Sequence, residues 1–328
     1  MPVAEPTLRV DDDGMVADGV RRGGVRRGCV ISLACVLVLL AGCVTGVSQT
    51  PTSGPASGSG GTTATTTLKV GERSVLLYVP TRRLPGPAAL VVVLHGYTGE
   101  AAGAVNFFGL RALAEQRGFV IAAPQGTVDS EGRTFWNASR ACCNFQGSTV
   151  DDSGYLSRVI ATVVSAHGID PSRVYVVGHS NGGFMAHRLA CEHADQVAAI
   201  ASLAGATDAD AQCTPVQPVS VLQVHGTADD TILYDGGAID GKRYTSAADT
   251  LALWRRADGC PTDSRRGAVL DADANVAGED LTPTVWVNCR GGTEVALWTI
   301  ADGSHIPALT PAFTAALFDW FEAHHRAR

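Results

Sequence analysis

Arg173-Val174-Tyr175-Val176-Val177-Gly178-His179-Ser180-Asn181-Gly182 is the stretch on which the reading of this 328-residue chain turns. Its first half is a short apolar, β-branched run that predicts a buried strand. The following Gly183-Phe184-Met185-Ala186-His187-Arg188-Leu189-Ala190 predicts a helix with Met185 and Leu189 on one face. Between them stands Gly-x-Ser-x-Gly. A serine on so sharp a strand-to-helix turn has its hydroxyl held clear of the backbone, and glycines two residues to either side avoid collisions there. The helix points its N-terminus at any oxyanion formed beside the serine. The pentapeptide alone also fits a glycine-rich turn with a solvated serine; the flanking strand and helix favour a nucleophile.

Outward from this turn, strand and helix alternate. Val75-Leu76-Leu77-Tyr78-Val79 is an early strand, and Ala89-Leu90-Val91-Val92-Val93-Leu94 is apolar throughout, as a central parallel strand is. Residues 102–117 read as a helix, 119–123 as a strand and 156–166 as a helix with Leu156, Ile160 and Val163 at helical spacing. Residues 197–203 and 219–224 are further buried strands. A helix over 246–257 carries Leu251 and Trp254; a late strand at 294–300 and a helix over 312–324 close the chain. This pattern predicts an α/β fold, a mostly parallel central sheet with helices on both faces and no large cap domain. Sites in such sheets lie at the carboxyl ends of the strands.

Composition bounds what surrounds this domain. The formal net charge is −7, and no basic stripe follows the leader, so nucleic acid is not an expected partner. Asp11-Asp12-Asp13 does not suit the start of an export signal, whereas Arg21, Arg22, Arg26 and Arg27 after Met15 do, which makes Met15 a candidate native start. The apolar run at 29–41 is shorter than the roughly 20 residues of a spanning helix and fits a signal-peptide core. It ends in Leu40-Ala41-Gly42-Cys43, which looks like a bacterial lipobox whose cysteine is lipidated. An ordinary signal peptide and a single-pass anchor are the alternatives. The expected organisation is a signal with lipobox at 1–43, a flexible Ser/Thr/Gly/Pro tether at 44–66, and a catalytic domain at 67–328. The expected location is extracytoplasmic, with membrane contact only through the lipid.

Three loops leaving strand ends carry chemistry. His95-Gly96-Tyr97-Thr98-Gly99 follows the first central strand, where an α/β-hydrolase supplies one oxyanion-hole N–H; Tyr97 N–H is assigned, with Asn181 N–H as the second donor. His225-Gly226-Thr227-Ala228-Asp229-Asp230 offers a carboxylate, Asp229 or Asp230, to orient a histidine. Asp302-Gly303-Ser304-His305 offers that histidine. The chain order Ser180, Asp, His305 is the one α/β-hydrolases require.

These motifs, together with Val150-Asp151-Asp152-Ser153-Gly154-Tyr155-Leu156 and Trp254 followed by Cys260, resemble those of the polyhydroxybutyrate depolymerase and feruloyl esterase family, a group that also takes in acetylxylan esterases. The resemblance spans about residues 67–325. It implies hydrolysis of an ester (short acyl, polyester or plant cell-wall) by a serine triad without a cofactor, with Asp229 as the triad carboxylate. Members often carry His-x-Trp-Pro after the catalytic histidine, whereas this chain has His305-Ile306-Pro307 and lacks that aromatic. The loop 125–149, with Phe135 and Trp136, leaves a strand end beside the site. Trp136 is either a substrate-binding pocket wall or a buried anchor.

Cysteines fit an exported enzyme. Cys29 and Cys35 leave with the signal and Cys43 takes lipid, which leaves Cys142, Cys143, Cys191, Cys213, Cys260 and Cys289. The resemblance pairs Cys260 with Cys289. Adjacent Cys142 and Cys143 do not readily pair with each other and are expected to reach Cys191 and Cys213. No CxxC or HExxH spacing calls for a metal, and His324-His325 read as a cationic or solvated helix end. Two other functions share the fold: a peptidase of the prolyl-oligopeptidase type, and a surface binding protein that has lost catalysis.

Overall fold

The structure, a computed structural model, describes residues 64–82 and 84–326. Met15, Cys43, the signal and the tether up to residue 63 lie outside the described residues.

Strands β1 Ala64–Val70, β2 Arg73–Val79 and β3 Ala88–Leu94 open the domain. Helices α1 Ala101–Phe107 and α2 Leu110–Arg117 follow, then β4 Val120–Pro124 and a small hairpin of β5 Thr127–Val128 and β6 Thr134–Phe135. Helix α3 Asp152–His167 leads to β7 Ile169–His179, α4 Asn181–Glu192, β8 Ala199–Leu203 and β9 Ser220–Gly226. A second hairpin, β10 Gly237–Ile239 with β11 Lys242–Tyr244, precedes α5 Ala247–Ala257. Strands β12 Arg265–Arg266, β13 Leu281–Trp286 and β14 Val295–Ile300 lead to α6 Pro311–Glu322.

The main sheet has ten strands in the order β1-β2-β4-β3-β7-β8-β9-β14-β13-β12. Its centre, from β4 to β14, is parallel; two antiparallel strands finish each edge. Successive side chains of a strand point to opposite faces, and β3 shows why its sequence is apolar throughout. Leu90, Val92 and Leu94 enter one core with α3, α4 and α5, through Leu156, Val159, Phe184, Leu189 and Leu251. Val91 and Val93 enter the other with α1, α2 and α6, through Val105, Leu110, Phe313, Leu317 and Phe318. Each fully buried side chain of this size contributes about 1.5–3 kcal/mol. The starts of α3, α5 and α6 are fixed by side-chain caps: Asp151 accepts from Gly154 N–H, Ser246 from Asp249 N–H and Thr310 from Phe313 N–H.

The structure departs from the sequence expectations in several places. The helix expected over 102–117 is two helices, because Gly109 adopts φ 65°, the left-handed region that ends one and turns the chain into the next. Strand β1 begins at Ala64, inside the stretch whose composition reads as tether. It pairs through its backbone with β2 while its threonines stay largely exposed, so no apolar pattern betrays it. Cys260 and Cys289 are bonded. Cys191, however, pairs with Cys213, their Cα atoms 5.6 Å apart. Each sulfur forms one such bond, so Cys142 and Cys143 are left to each other and are bonded as neighbours, contrary to expectation.

Candidate active site

Parallel register brings the chemistry together. Leu94 of β3 pairs with Gly178 of β7, so the loop from His95 leaves the sheet beside His179 and Ser180. Ile300 of β14 pairs with Gly226 of β9, and the two following loops are zipped: Thr227 N–H donates to Ile300 O (2.9 Å) and Ala228 N–H to Gly303 O (3.0 Å). Asp229 and His305, 76 residues apart, therefore emerge side by side.

Ser180 sits at φ 54° and ψ −121°, a conformation that costs a non-glycine residue of order 1–3 kcal/mol. Its N–H donates to Leu203 O (2.8 Å) on the next strand. The flanking glycines are required: a Cβ on Gly178 would lie 2.1 Å from Gly182 O, and one on Gly182 would lie 2.4 Å from Leu94 O. The packed sheet and α4 hold the strained turn.

His305 Nε2 lies 3.0 Å from Ser180 Oγ, and His305 Nδ1 lies 2.8 Å from Asp229 Oδ2. The other oxygen, Asp229 Oδ1, accepts from the N–H groups of Thr231 (3.0 Å) and Ile232 (2.9 Å). Burial pushes the Asp229 carboxyl up, but hydrogen bonds from His225, His305 and Ile232 and the His305 charge outweigh it and hold it well below the usual carboxylate range. Asp230 is exposed and accepts only from its neighbour, Thr231 Oγ1. Of the two carboxylates that the motif offered, the structure places Asp229 on His305.

The two assigned oxyanion donors are carried by segments that one tryptophan ties together. Asn181 opens α4, where a first-turn N–H has no intrahelical acceptor. A Cβ on Gly96 would lie 3.5 Å from that of Ser180, so Tyr97 begins next to Ser180. Trp136 Nε1–H donates to His95 O (2.9 Å), while Trp136 N–H donates to Asn181 Oδ1 (2.7 Å) and Asn181 Nδ2 donates back to Trp136 O (3.0 Å). Trp136 is fully buried and lies outside the cleft, so its expected role as a substrate-binding wall is corrected. The indole faces inward because its N–H finds a partner in the His95 loop and both backbone polar groups find one at the first residue of α4. That loop is itself pinned by the buried Asp152, which accepts from Asn137 N–H (2.7 Å) and Thr127 Oγ1 (3.0 Å) and pairs with Arg73. Asp152 belongs to the stretch 150–156 that the sequence singled out.

His179 was not singled out by the sequence reading. Its Nε2 donates to His305 O (2.8 Å), and burial pushes its pKa down to about 4, so it is neutral at neutral pH. It steadies the histidine loop from the serine side. The cleft over Ser180 has a volume of about 410 Å³, lined by Tyr97, Glu100, Ala104, Phe107, Thr231 and Ile306 among others. Hollows of about 750 and 560 Å³ elsewhere contain no member of the triad. Cavity volume therefore does not mark this site; the hydrogen-bonded side chains do.

Residues 89–248, from β3 into α5, match the alpha/beta hydrolase fold family; the match contains Ser180 and Asp229 but stops short of His305. The chain is 31% identical over 234 residues to NocK of Nocardia uniformis subsp. tsuyamanensis, assigned as an esterase, a match covering 68% of this chain and 66% of NocK. It is 28% identical over 227 residues to feruloyl esterase B of Piromyces equi, covering 66% of this chain and 39% of that protein. Poly(3-hydroxyalkanoate) depolymerase C of Paucimonas lemoignei is 27% identical over 242 residues, covering 71% and 55%. This chain thus spans between about two fifths and two thirds of the length of these relatives. Among solved structures, acetyl xylan esterase from Aspergillus awamori superposes with a TM-score of 0.56 at 18% identity, covering 79% of this chain and 99% of that one, which speaks for the fold. With the matched segment, the sheet topology and these relatives in agreement, the chain has the α/β-hydrolase fold.

Proposed function

We propose that this protein is a serine esterase that hydrolyses carboxylic esters through an acyl-enzyme. The observation that carries the reading is the continuous hydrogen-bonded line Ser180–His305–Asp229 at the carboxyl edge of the sheet. His305 takes the Ser180 proton as Oγ attacks the ester carbonyl. The N–H groups of Tyr97 and Asn181 hold the oxyanion, and Asp229 stabilises the imidazolium. The alcohol leaves with the proton from His305, and water repeats the cycle on the acyl-enzyme.

The preferred substrates are short acyl esters. Ile306 stands exposed at the cleft rim where relatives of the resembled family often carry tryptophan. The tyrosine and phenylalanine rings of the cleft already have ring partners, Tyr97 in a T-shaped pair with Phe145 and Phe107 against His179. A missing stacking face is worth roughly 0.5–1.5 kcal/mol, so kcat/KM on acetyl to butyryl esters is expected to exceed that on methyl ferulate by roughly 2- to 10-fold. A panel of acetyl, hydroxybutyryl and feruloyl esters checks this, and equal or better efficiency on methyl ferulate overturns the preference. Trp136→Phe should lower turnover of every ester in the panel alike, since the indole holds His95 O rather than substrate. Hydrolysis of peptidyl amides with none of esters would favour the peptidase reading instead.

The same proposal takes the enzyme as anchored outside the cytoplasm through lipidated Cys43, since each buried CH₂ adds about 0.8 kcal/mol of membrane affinity. Mass spectrometry of the mature N-terminus should find a diacylglyceryl cysteine. An unmodified N-terminus at another residue removes the anchor.

A further inference from the structure

Behind the catalytic carboxylate runs a line of buried polar side chains that the proposed reaction does not use. Trp254 Nε1 lies 2.9 Å from His187 Nδ1; His187 Nε2 lies 3.0 Å from Gln223 Oε1; Gln223 Nε2 lies 3.1 Å from His225 Nδ1. His225 Nε2 in turn lies 2.8 Å from Ile232 O and 3.3 Å from Asp229 Oδ2. All five side chains are buried, so each polar atom needs a partner inside the protein. Indole N–H only donates, which makes His187 Nδ1 an acceptor and puts the His187 proton on Nε2. Gln223 is oriented from both sides: Oε1 accepts that proton's bond, and Nε2 also donates to Gly205 O (2.8 Å). Gln223 Nε2 is therefore a donor to His225 Nδ1, and the single His225 proton sits on Nε2, facing Ile232 O and Asp229 Oδ2.

We infer that Trp254, His187 and Gln223 are positioning residues that fix the tautomer of His225, so that His225 Nε2–H is shared between Ile232 O and the catalytic Asp229 Oδ2, the same oxygen that meets His305 Nδ1. Every donor in the line points towards Asp229. The inference rests on the reading of Asp229 as the carboxylate that orients His305. It explains two features otherwise without a use: the histidine that opens the His225–Asp229 loop, and a glutamine in the middle of a fully buried strand, where Gln223 and His225, two residues apart, share one face of β9. The opposite tautomer would turn a ring lone pair towards Oδ2, leave the Ile232 carbonyl without a donor and weaken the hold on His305.

The test is nitrogen NMR of the full chain labelled with ¹⁵N-histidine at neutral pH, with His187→Phe and His225→Asn as assignment variants. His187 and His225 are expected to be neutral with the proton on Nε2. A His225 that is protonated on Nδ1, or on both nitrogens, overturns the inference, whatever the enzyme hydrolyses. Gln223→Glu keeps the side-chain volume but can only accept at both ends. It should move the His225 proton to Nδ1 and lower kcat roughly 10- to 100-fold, the loss expected for a hydrogen bond to a charged group, with KM within about twofold. A folded Gln223→Glu with the wild-type His225 tautomer and unchanged kcat also overturns it. If that variant does not fold, Gln223→Met takes its place: His225 Nδ1 loses its donor, kcat falls by the same factor, and an unchanged kcat overturns the role. Absence of ester turnover in the parent would fail the proposed function and leave the tautomer measurement intact.

Discussion

Ser180→Ala should abolish ester hydrolysis, with kcat falling by roughly 10⁶, and should abolish labelling by a serine-reactive phosphonate. The size of the effect follows from the geometry. Among the described residues, only Ser180 Oγ lies within hydrogen-bond reach of His305 Nε2, at 3.0 Å, and both residues are buried against the cleft floor. Without the oxygen there is no covalent intermediate, and what survives is the contribution of the oxyanion hole and of binding, about 10³–10⁴ over water in other triads. The fold should persist. The strained backbone at φ 54° is imposed by neighbours that crowd Gly178 and Gly182, and alanine occupies that conformation no worse than serine. Circular dichroism and thermal unfolding should therefore match the parent. Turnover within tenfold of the parent would remove Ser180 from the mechanism, and a labelled variant would place the reactive group elsewhere.

Asp229→Asn should cost about 10⁴ in kcat, while Asp230→Asn should change it less than about threefold. In Asp229, Oδ1 already accepts from two backbone N–H groups, Thr231 and Ile232. An asparagine keeps its carbonyl oxygen there and turns its NH₂ towards His305. His305 Nδ1 must then accept, and its proton moves to Nε2, where the Ser180 proton should go. The same NH₂ meets His225 Nε2, 3.3 Å from the present oxygen. Asp230 accepts only from Thr231 Oγ1 at the surface, so its amide is nearly silent. The reverse ranking in steady-state kinetics would move the triad carboxylate by one residue.

The central strands were legible because a parallel strand buried on both faces must be apolar at every position, as β3 is. The edge strands were not. In β13 buried and half-buried residues alternate around Pro283, and β1 opens on a run of exposed threonines paired through their backbone with β2. Neither carries the continuous apolar run used to find the others, although Val70 at the end of β1 is buried and Leu68 packs against the same core. The same division holds at the site. Gly178-His179-Ser180-Asn181-Gly182 announces itself because the turn excludes other side chains locally, and His95-Gly96 and Asp302-Gly303-Ser304-His305 were found by their place after strands.

Local chemistry along the chain thus specified the strand–turn–helix, the order of serine, carboxylate and histidine, and the parallel sheet that carries them. It did not specify which of two neighbouring aspartates turns inward, whether Trp136 faces cleft or core, or which cysteines meet. Nor could it show that Trp254, His187, Gln223 and His225 form one line. Each of those depends on which distant segments supply the hydrogen-bond partner: Ile232 and His305 for Asp229, His95 and Asn181 for Trp136, α4 and α5 for the line behind β9. A buried polar group goes where its partner is, and for these residues the partner comes from another part of the chain.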